Sequence, residues 1–305
     1  VRFMPSNLGK KLKRDRYLLL LLFPVILHFV IFSYVPMYGL ILAFKDYKIN
    51  LGYLGSPWVG LKYFDKFFNS IYFWRLIRNT LFINAYTLLF GFPIPILFAL
   101  AINELRYSRF KKLVQTTSYF PYFISTVIVI SLLFTFFNST DGVVTRILAM
   151  VGYQNNSILS DPSWFRSLYV WSGIWQSFGW NSIIYIAAMS SIDPQLYEAA
   201  TSDGITRFKK AIYITIPCIV PTIILLLLLS IGSMMSTSTE KLVLMLTPST
   251  YEVGDTIASY VYRAGIENSD YSFSTATGLF SSVINLILLT SANLIARHTA
   301  ETSLW

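Results

Sequence analysis

The chain has 305 residues, 54% of them hydrophobic and only 13% charged, with 24 Lys and Arg against 15 Asp and Glu for a net charge of +9. Soluble domains carry about 25% charged residues, so this composition, with a mean hydropathy of +0.56, excludes a soluble enzyme, a disordered regulator and a secreted disulfide scaffold. The single Cys218 allows neither an internal disulfide nor a cysteine metal cluster, which leaves an all-α polytopic membrane protein.

In chain order, six apolar stretches approach the ~20 residues that a bilayer crossing needs. They are 17–43, 76–102, 113–137, 168–190, 217–237 and 274–296. The first is too long for a signal-peptide core and has no small-residue cleavage site after it. Pro24, Pro36, Gly91, Pro93, Pro95 and Pro121 fall within spans, where neighbouring helices re-satisfy freed backbone groups. The fourth stretch is the most dilute, carrying Gly173, Gln176, Gly179 and Asn181. The predicted organisation is a basic tail over 1–16, a first span with an external loop over 17–75, a core of five spans over 76–297, and a tail over 298–305.

Lys and Arg in loops set the orientation. Arg2, Lys10, Lys11, Lys13, Arg14 and Arg16 precede the first span; Arg106, Arg109, Lys111 and Lys112 follow the second. Arg207, Lys209 and Lys210 precede the fifth, and Arg297 follows the sixth. Fourteen of the 24 basic residues, but only six of the 15 carboxylates, thus fall on one side. Both termini are expected in the cytoplasm, and the basicity reports orientation rather than nucleic-acid binding.

Ion-coupled carriers usually need Asp, Glu or His within the membrane. All 15 carboxylates lie outside the six stretches, and His28 is the one ionisable group deep in a span, where a packed histidine is the plainer reading than a relay. The only Gly-Lys pair, Gly9-Lys10, lies in the basic tail and belongs to no nucleotide-binding loop. No nucleophile–base pair, catalytic residue or metal-binding pattern is visible. Uphill transport by this chain would take its energy from a partner.

The loop over 191–216 is the most informative. Asp193 suits an N-cap and Pro194 a first helical position, with Leu196 and Ala200 on one small apolar face. Gly204 suits a left-handed stop. A second helix follows, with Ile205, Phe208 and Ile212 on one side, and Pro217 is expected to open the fifth span. Physics alone leaves two readings open: a firm knob for a docked protein, or a loop lying on lipid headgroups.

Glu198-Ala199-Ala200-x-x-x-Gly204, then nine residues to Ile214-x-Ile216-Pro217, resembles the EAA motif of binding-protein-dependent ABC importer permeases. That resemblance implies a six-span type I importer permease (MetI-like) fold and a coupling helix over 194–201 seated on a cytoplasmic ATP-hydrolysing subunit. Glu198, Ala199, Ala200, Asp203, Gly204 and Pro217 would form the ATPase-coupling surface. Asp141-Gly142 through Gly152, followed by Leu159-Ser-Asp-Pro162, resembles the external segment of maltose-type larger subunits. Glu240-Lys241-Leu-Val-Leu, Tyr260-Val-Tyr-Arg263 and Glu301-Thr-Ser-Leu-Trp305 are similar to the oligosaccharide permeases of alginate and pectin-fragment importers.

Trp171, Trp175, Phe178, Ser182 and Tyr185 fall near one face of the fourth span, an arrangement that fits either a sugar plate or ordinary helix packing. Resemblance to the maltose-type subunit implies a substrate path near Trp175, Gln176, Trp180, Ser230, Ser233, Met234 and Thr237. It also implies the partners: a second homologous permease in a heterodimer, two ATP-binding subunits holding ATP and Mg, and an external solute-binding protein. This chain itself would hold no cofactor and perform no chemistry. The cargo would be an oligosaccharide, with an acidic, uronate-type sugar and an external Arg78 contact among the options. An amino acid, peptide or phosphate cargo, or a secondary carrier, is the alternative.

Overall fold

A computed structural model describes residues 15–139, 141–152 and 158–300. The tail before residue 15 and Glu301–Trp305 lie outside the described residues, as does much of the stretch between Gly152 and Leu159. Among the described residues the chain is helical and has no strand, only an isolated bridge between Lys45 and Trp58.

Helix α1 runs over Arg16–Phe44. Its first part buries no side chain against the rest of the chain, and His28 packs only against Phe29 and Phe32. Inside α1, Val30–Tyr34 forms a π turn in which the Val35 N–H reaches back to the Val30 carbonyl. Pro36 follows at once and has no N–H for the regular ladder. The end of α1 and the following segment with the short helix α2 (Lys62–Phe68) pack on the last helix, α12 (Tyr271–Ala300). Phe67, Leu76, Phe273 and Ala276 form the core there.

Helix α3 covers Phe73–Asn103 and α4 covers Ser108–Phe123. The third predicted span, 113–137, is not straight: α4 meets α5 (Thr126–Phe136) at 95°. Pro121 tightens the end of α4 into a 3-10 turn, Ile124 is extended, and the Ser125 hydroxyl caps α5 by accepting from the Ile128 N–H. A short helix, α6, covers Val143–Met150.

Helix α7, Pro162–Ser190, is the centre of the bundle and packs on α3, α4 and α9 (Arg207–Gly232). At 29 residues it is long enough to cross a bilayer, about 1.5 Å per residue. Among the described residues four helices (α1, α3, α9, α12) are both long and apolar enough to span, and the bent pair α4–α5 would be a fifth. The fourth predicted span, within α7, is more polar because its small polar side chains line an internal cavity rather than lipid. After α8 (Pro194–Ser202), α9 leads to three short elements. These are α10 (Thr239–Met245), a turn over Tyr251–Gly254, and α11 (Ile257–Tyr262).

Candidate functional site: a docking knob and a polar cavity

Two features stand at opposite ends of α9. At the first, Asp193 caps α8 through its carboxylate, which accepts from the Gln195 N–H at 2.9 Å. Gly204, at φ +73, ends the helix. The Gly204 N–H donates to the Thr201 carbonyl and the Ile205 N–H to that of Ala200, both at 3.0 Å, which is a Schellman stop. A glycine is favoured there because a left-handed residue with a Cβ costs roughly 1–2 kcal/mol.

The knob is strapped to α9. Tyr197 and Thr215 share a hydroxyl–hydroxyl bond at 2.9 Å, and Lys210 donates to the Thr201 hydroxyl at 2.6 Å. Ala200 is buried, while Glu198, Ala199 and Asp203 are exposed. Leu196, Phe208 and Tyr213 stand 47%, 75% and 72% exposed, an apolar surface beside acidic residues. The sequence expectation of two short helices and a span opening at Pro217 needs correction. Helix runs unbroken from Arg207 to Gly232. A second π turn, Ala211–Thr215, absorbs the proline: the Ile216 N–H donates to the Ala211 carbonyl just before Pro217.

At the other end lies a cavity of about 670 Å³, within the usual range for small-molecule sites. It is bounded by Asn84 and Thr87 of α3, Tyr169, Gly173, Gln176, Ser177, Asn181 and Tyr185 of α7, and Ser230, Ser233, Met234, Thr237, Ser238 and Lys241 at and beyond the end of α9. Five predicted path residues (Gln176, Ser230, Ser233, Met234, Thr237) therefore come together. Gln176 also holds the α4–α5 bend, donating to the Ile124 carbonyl at 2.8 Å. Thr237 bonds Thr256 at 3.1 Å, and Asn285 of α12 ties the chain after α9 by accepting from the Met235 N–H and donating to the Ser236 hydroxyl.

Two predicted path residues fall elsewhere. Trp175 lies with Trp164, Trp171, Leu132 and Phe136 along an apolar groove of about 410 Å³ between α5 and α7. Trp180 stacks on Tyr122 at 4.7 Å and packs edge-on to Phe123, supporting the bend. Trp175 and Trp180 of α7 face apolar or aromatic neighbours, whereas Tyr169 and Tyr185 border the cavity beside the small polar residues that leave its open space. Sequence reasoning missed Asn84, Thr87, Ser177, Asn181 and Lys241. The spacing Gly173-x-x-x-Ser177-x-x-x-Asn181 was the available signal, since small polar side chains four apart form one helix face.

The cavity end of the bundle is clamped by charge. Asp255, fully buried, accepts from Arg263 at 2.7 Å and Arg75 at 3.3 Å. Arg78, considered above as a sugar contact, pairs with Glu252 at 2.9 Å. Buried Asn79 donates to the carbonyls of Glu252 and Asp255 and accepts from Arg166. These bonds tie the first turns of α3 and α7 to the short elements that follow α9. Among the described residues no cluster of His, Cys, Asp and Glu fits a metal ion.

A profile of the binding-protein-dependent transport system inner membrane component family matches residues 91–301. The chain is 44% identical to Protein LplB of Bacillus subtilis strain 168, over 96% of this chain and 92% of LplB. It is 42% identical to the polygalacturonan/rhamnogalacturonan transport system permease protein YteP of the same strain, over 97% and 92%. A chain of a bacterial ABC transporter involved in the import of the acidic polysaccharide alginate superposes with a TM-score of 0.88 at 43% identity, over 96% of this chain and 99% of that one. A chain of the bacterial alginate transporter in complex with an alginate pentasaccharide-bound periplasmic protein gives 0.88 at 42% identity, over 97% and 99%.

Proposed function

Because the chain belongs to the family of binding-protein-dependent transport system inner membrane components, which are transport permeases and not enzymes, we propose that it is the subunit through which an ATP-driven importer moves an acidic oligosaccharide. The observation that carries this reading is the unbroken helix α9 between knob and cavity. Tyr197 and Lys210 fasten the knob to its first turns, and Ser230, Ser233 and Thr237 border the cavity at and just beyond its other end. Movement of the knob thus reaches the cavity through one rigid element.

In this reading an external solute-binding protein delivers the sugar. A second, homologous permease completes the pathway, and two cytoplasmic subunits bind ATP and Mg. Glu198, Ala199, Asp203 and Gly204 form the surface seated on one ATPase, Ala200 lies buried beneath it instead of on it, and Pro217 keeps the nearby π turn in place. ATP binding draws the ATPases together and tilts the two knobs, so the cavity changes the side to which it opens. Both termini and the knob then lie in the cytoplasm of a bacterial cell, with the Arg75–Asp255–Arg263 clamp outside. The uronate-type cargo is supported by similarity to YteP and to the alginate transporter along nearly the whole chain.

The test is purification of this chain with its partners, reconstitution in vesicles, and ATP-driven uptake of oligogalacturonate and alginate fragments. Glu198→Ala and Gly204→Pro should insert normally yet lose uptake, because one removes the docking carboxylate and the other forbids the left-handed turn. Full uptake by both variants would sink the coupling role. Ion-gradient-driven flux by this chain alone would make it a secondary carrier instead.

A further inference from the structure

We propose that Lys241 is the cargo-selecting cation of the cavity, its ammonium binding the carboxylate of a passing uronate. The assignment rests on the oligosaccharide-import reading above and names the residue that would make it specific for acidic sugars.

Lysine is rarely buried unless paired, yet Lys241 is only 5% exposed. Burying an ammonium without a counter-charge is costly. No carboxylate of the described residues lies within ion-pairing distance of it; its chain neighbour Glu240 is exposed on another face. The Nζ atom donates to the Tyr169 carbonyl at 2.6 Å and sits 4.7 Å from the centre of the Tyr169 ring. An ammonium has three donors, and that single bond uses one. Gly173 lets the amine sit close against α7: a Cβ there would stand 3.1 Å from Nζ, so the lysine would have to shift by a few tenths of an ångström.

Charge elsewhere around the cavity is absent. Every other residue bordering it is neutral, so an anionic cargo finds one point of attraction, in low-dielectric surroundings where a charge-assisted hydrogen bond is strong. Desolvation pushes the Lys241 pKa down to about 8, which leaves the amine predominantly protonated at neutral pH. The Tyr169 ring is itself buried beneath the amine, so it steadies the ammonium rather than the sugar, while Asn84, Thr87 and Asn181 on the cavity wall offer polar groups for hydroxyls. A neutral sugar would use those polar groups but would leave the ammonium buried and unpaired. That difference favours the acidic cargo.

The experiment uses the whole importer, this chain with its second permease, ATPases and binding protein, reconstituted in vesicles with a uronate trisaccharide. Lys241→Gln and Lys241→Met should lower ATP-driven uptake about tenfold or more while the subunits still co-purify, and Lys241→Arg should keep most of it; hydrogen bonds to charged groups are worth roughly that factor. Uptake within twofold of the parent in Gln and Met overturns the assignment. So does an Arg variant as poor as Gln, or a Gln and Met complex that no longer assembles, since either outcome makes Lys241 a structural support. If the unaltered importer takes up no uronate trisaccharide, the cargo reading itself fails, before any variant is made.

Discussion

Gly179 and Gly278 are both helical glycines, and replacing each by alanine should move stability in opposite directions. In α7, an added Cβ at Gly179 would fall 2.0 Å from the Ser118 carbonyl oxygen and 2.5 Å from its carbon, both backbone atoms of α4. Nothing lies within 4 Å of the same atom at Gly278 in α12. Alanine gains about 0.8–1 kcal/mol over glycine in a helix interior, so Gly278→Ala should stabilise by something under that. At Gly179 the gain is outweighed. Backbone cannot rotate aside as a side chain does, so α4 and α7 must part by about 1.4 Å to restore ordinary contact. Overpacking of that kind costs typically 1–3 kcal/mol. The separation would also pull Ile124 away from Gln176 and loosen the 95° bend. The assay is the temperature at which the purified complex loses half its monodisperse size-exclusion peak. Gly179→Ala should lower it by several degrees and Gly278→Ala should raise or preserve it. A Gly179→Ala complex as stable as Gly278→Ala would refute the close helix approach.

Two other perturbations probe the ends of the cavity. Asp255→Asn leaves Arg75 and Arg263 without their shared carboxylate; breaking a buried pair on one side costs about 3–5 kcal/mol. Faster cleavage by external protease and a lower melting temperature are expected, and an unchanged protease half-life would show that the clamp holds nothing. Gln176→Leu removes the bond to the Ile124 carbonyl and leaves a backbone acceptor unpaired, at about 1–3 kcal/mol if water is kept out. Its melting temperature should fall in a cargo-free complex, whereas a change in cargo affinity alone would mark Gln176 as a binding residue only.

The knob was legible in the sequence because its determinants are local. Asp193-Pro194 and Gly204 act on neighbouring backbone groups, and the structure places cap and stop at those residues. The cavity was half legible. The polar run at the end of α9 reads as unusual in any context, and it does border the cavity. On α7, periodicity defined a face but not what covers it. The aromatic stripe of Trp171 and Trp175 drew attention, while the quieter Gly173, Ser177 and Asn181 supply the opening. The bend at Ile124 was hidden because Pro121 also fits an ordinary membrane helix. Lys241, and Asp255 with its Arg75, owe their environments to contacts across 72 and 180 residues, beyond the reach of any local pattern.

The π turn over Ala211–Thr215 has a consequence for angular phase. One residue of α-helix is about 100° of rotation, and a π turn holds one residue more than the regular ladder would. Below it, α9 meets the knob through Lys210 and Thr215; above it, the same helix leads to Ser230, Ser233 and Thr237 at the cavity. The surplus residue is therefore taken up within about one turn, and the azimuth of one group relative to the other stays close to that of a regular helix one residue shorter. Deleting one residue between 211 and 215 would let the ladder run regularly with little rotation of the knob, whereas deleting one from the regular helix above it would turn the knob by about 100° relative to the cavity. Pro217, which withholds the N–H that a regular ladder would require there, keeps the two ends of the helix in register.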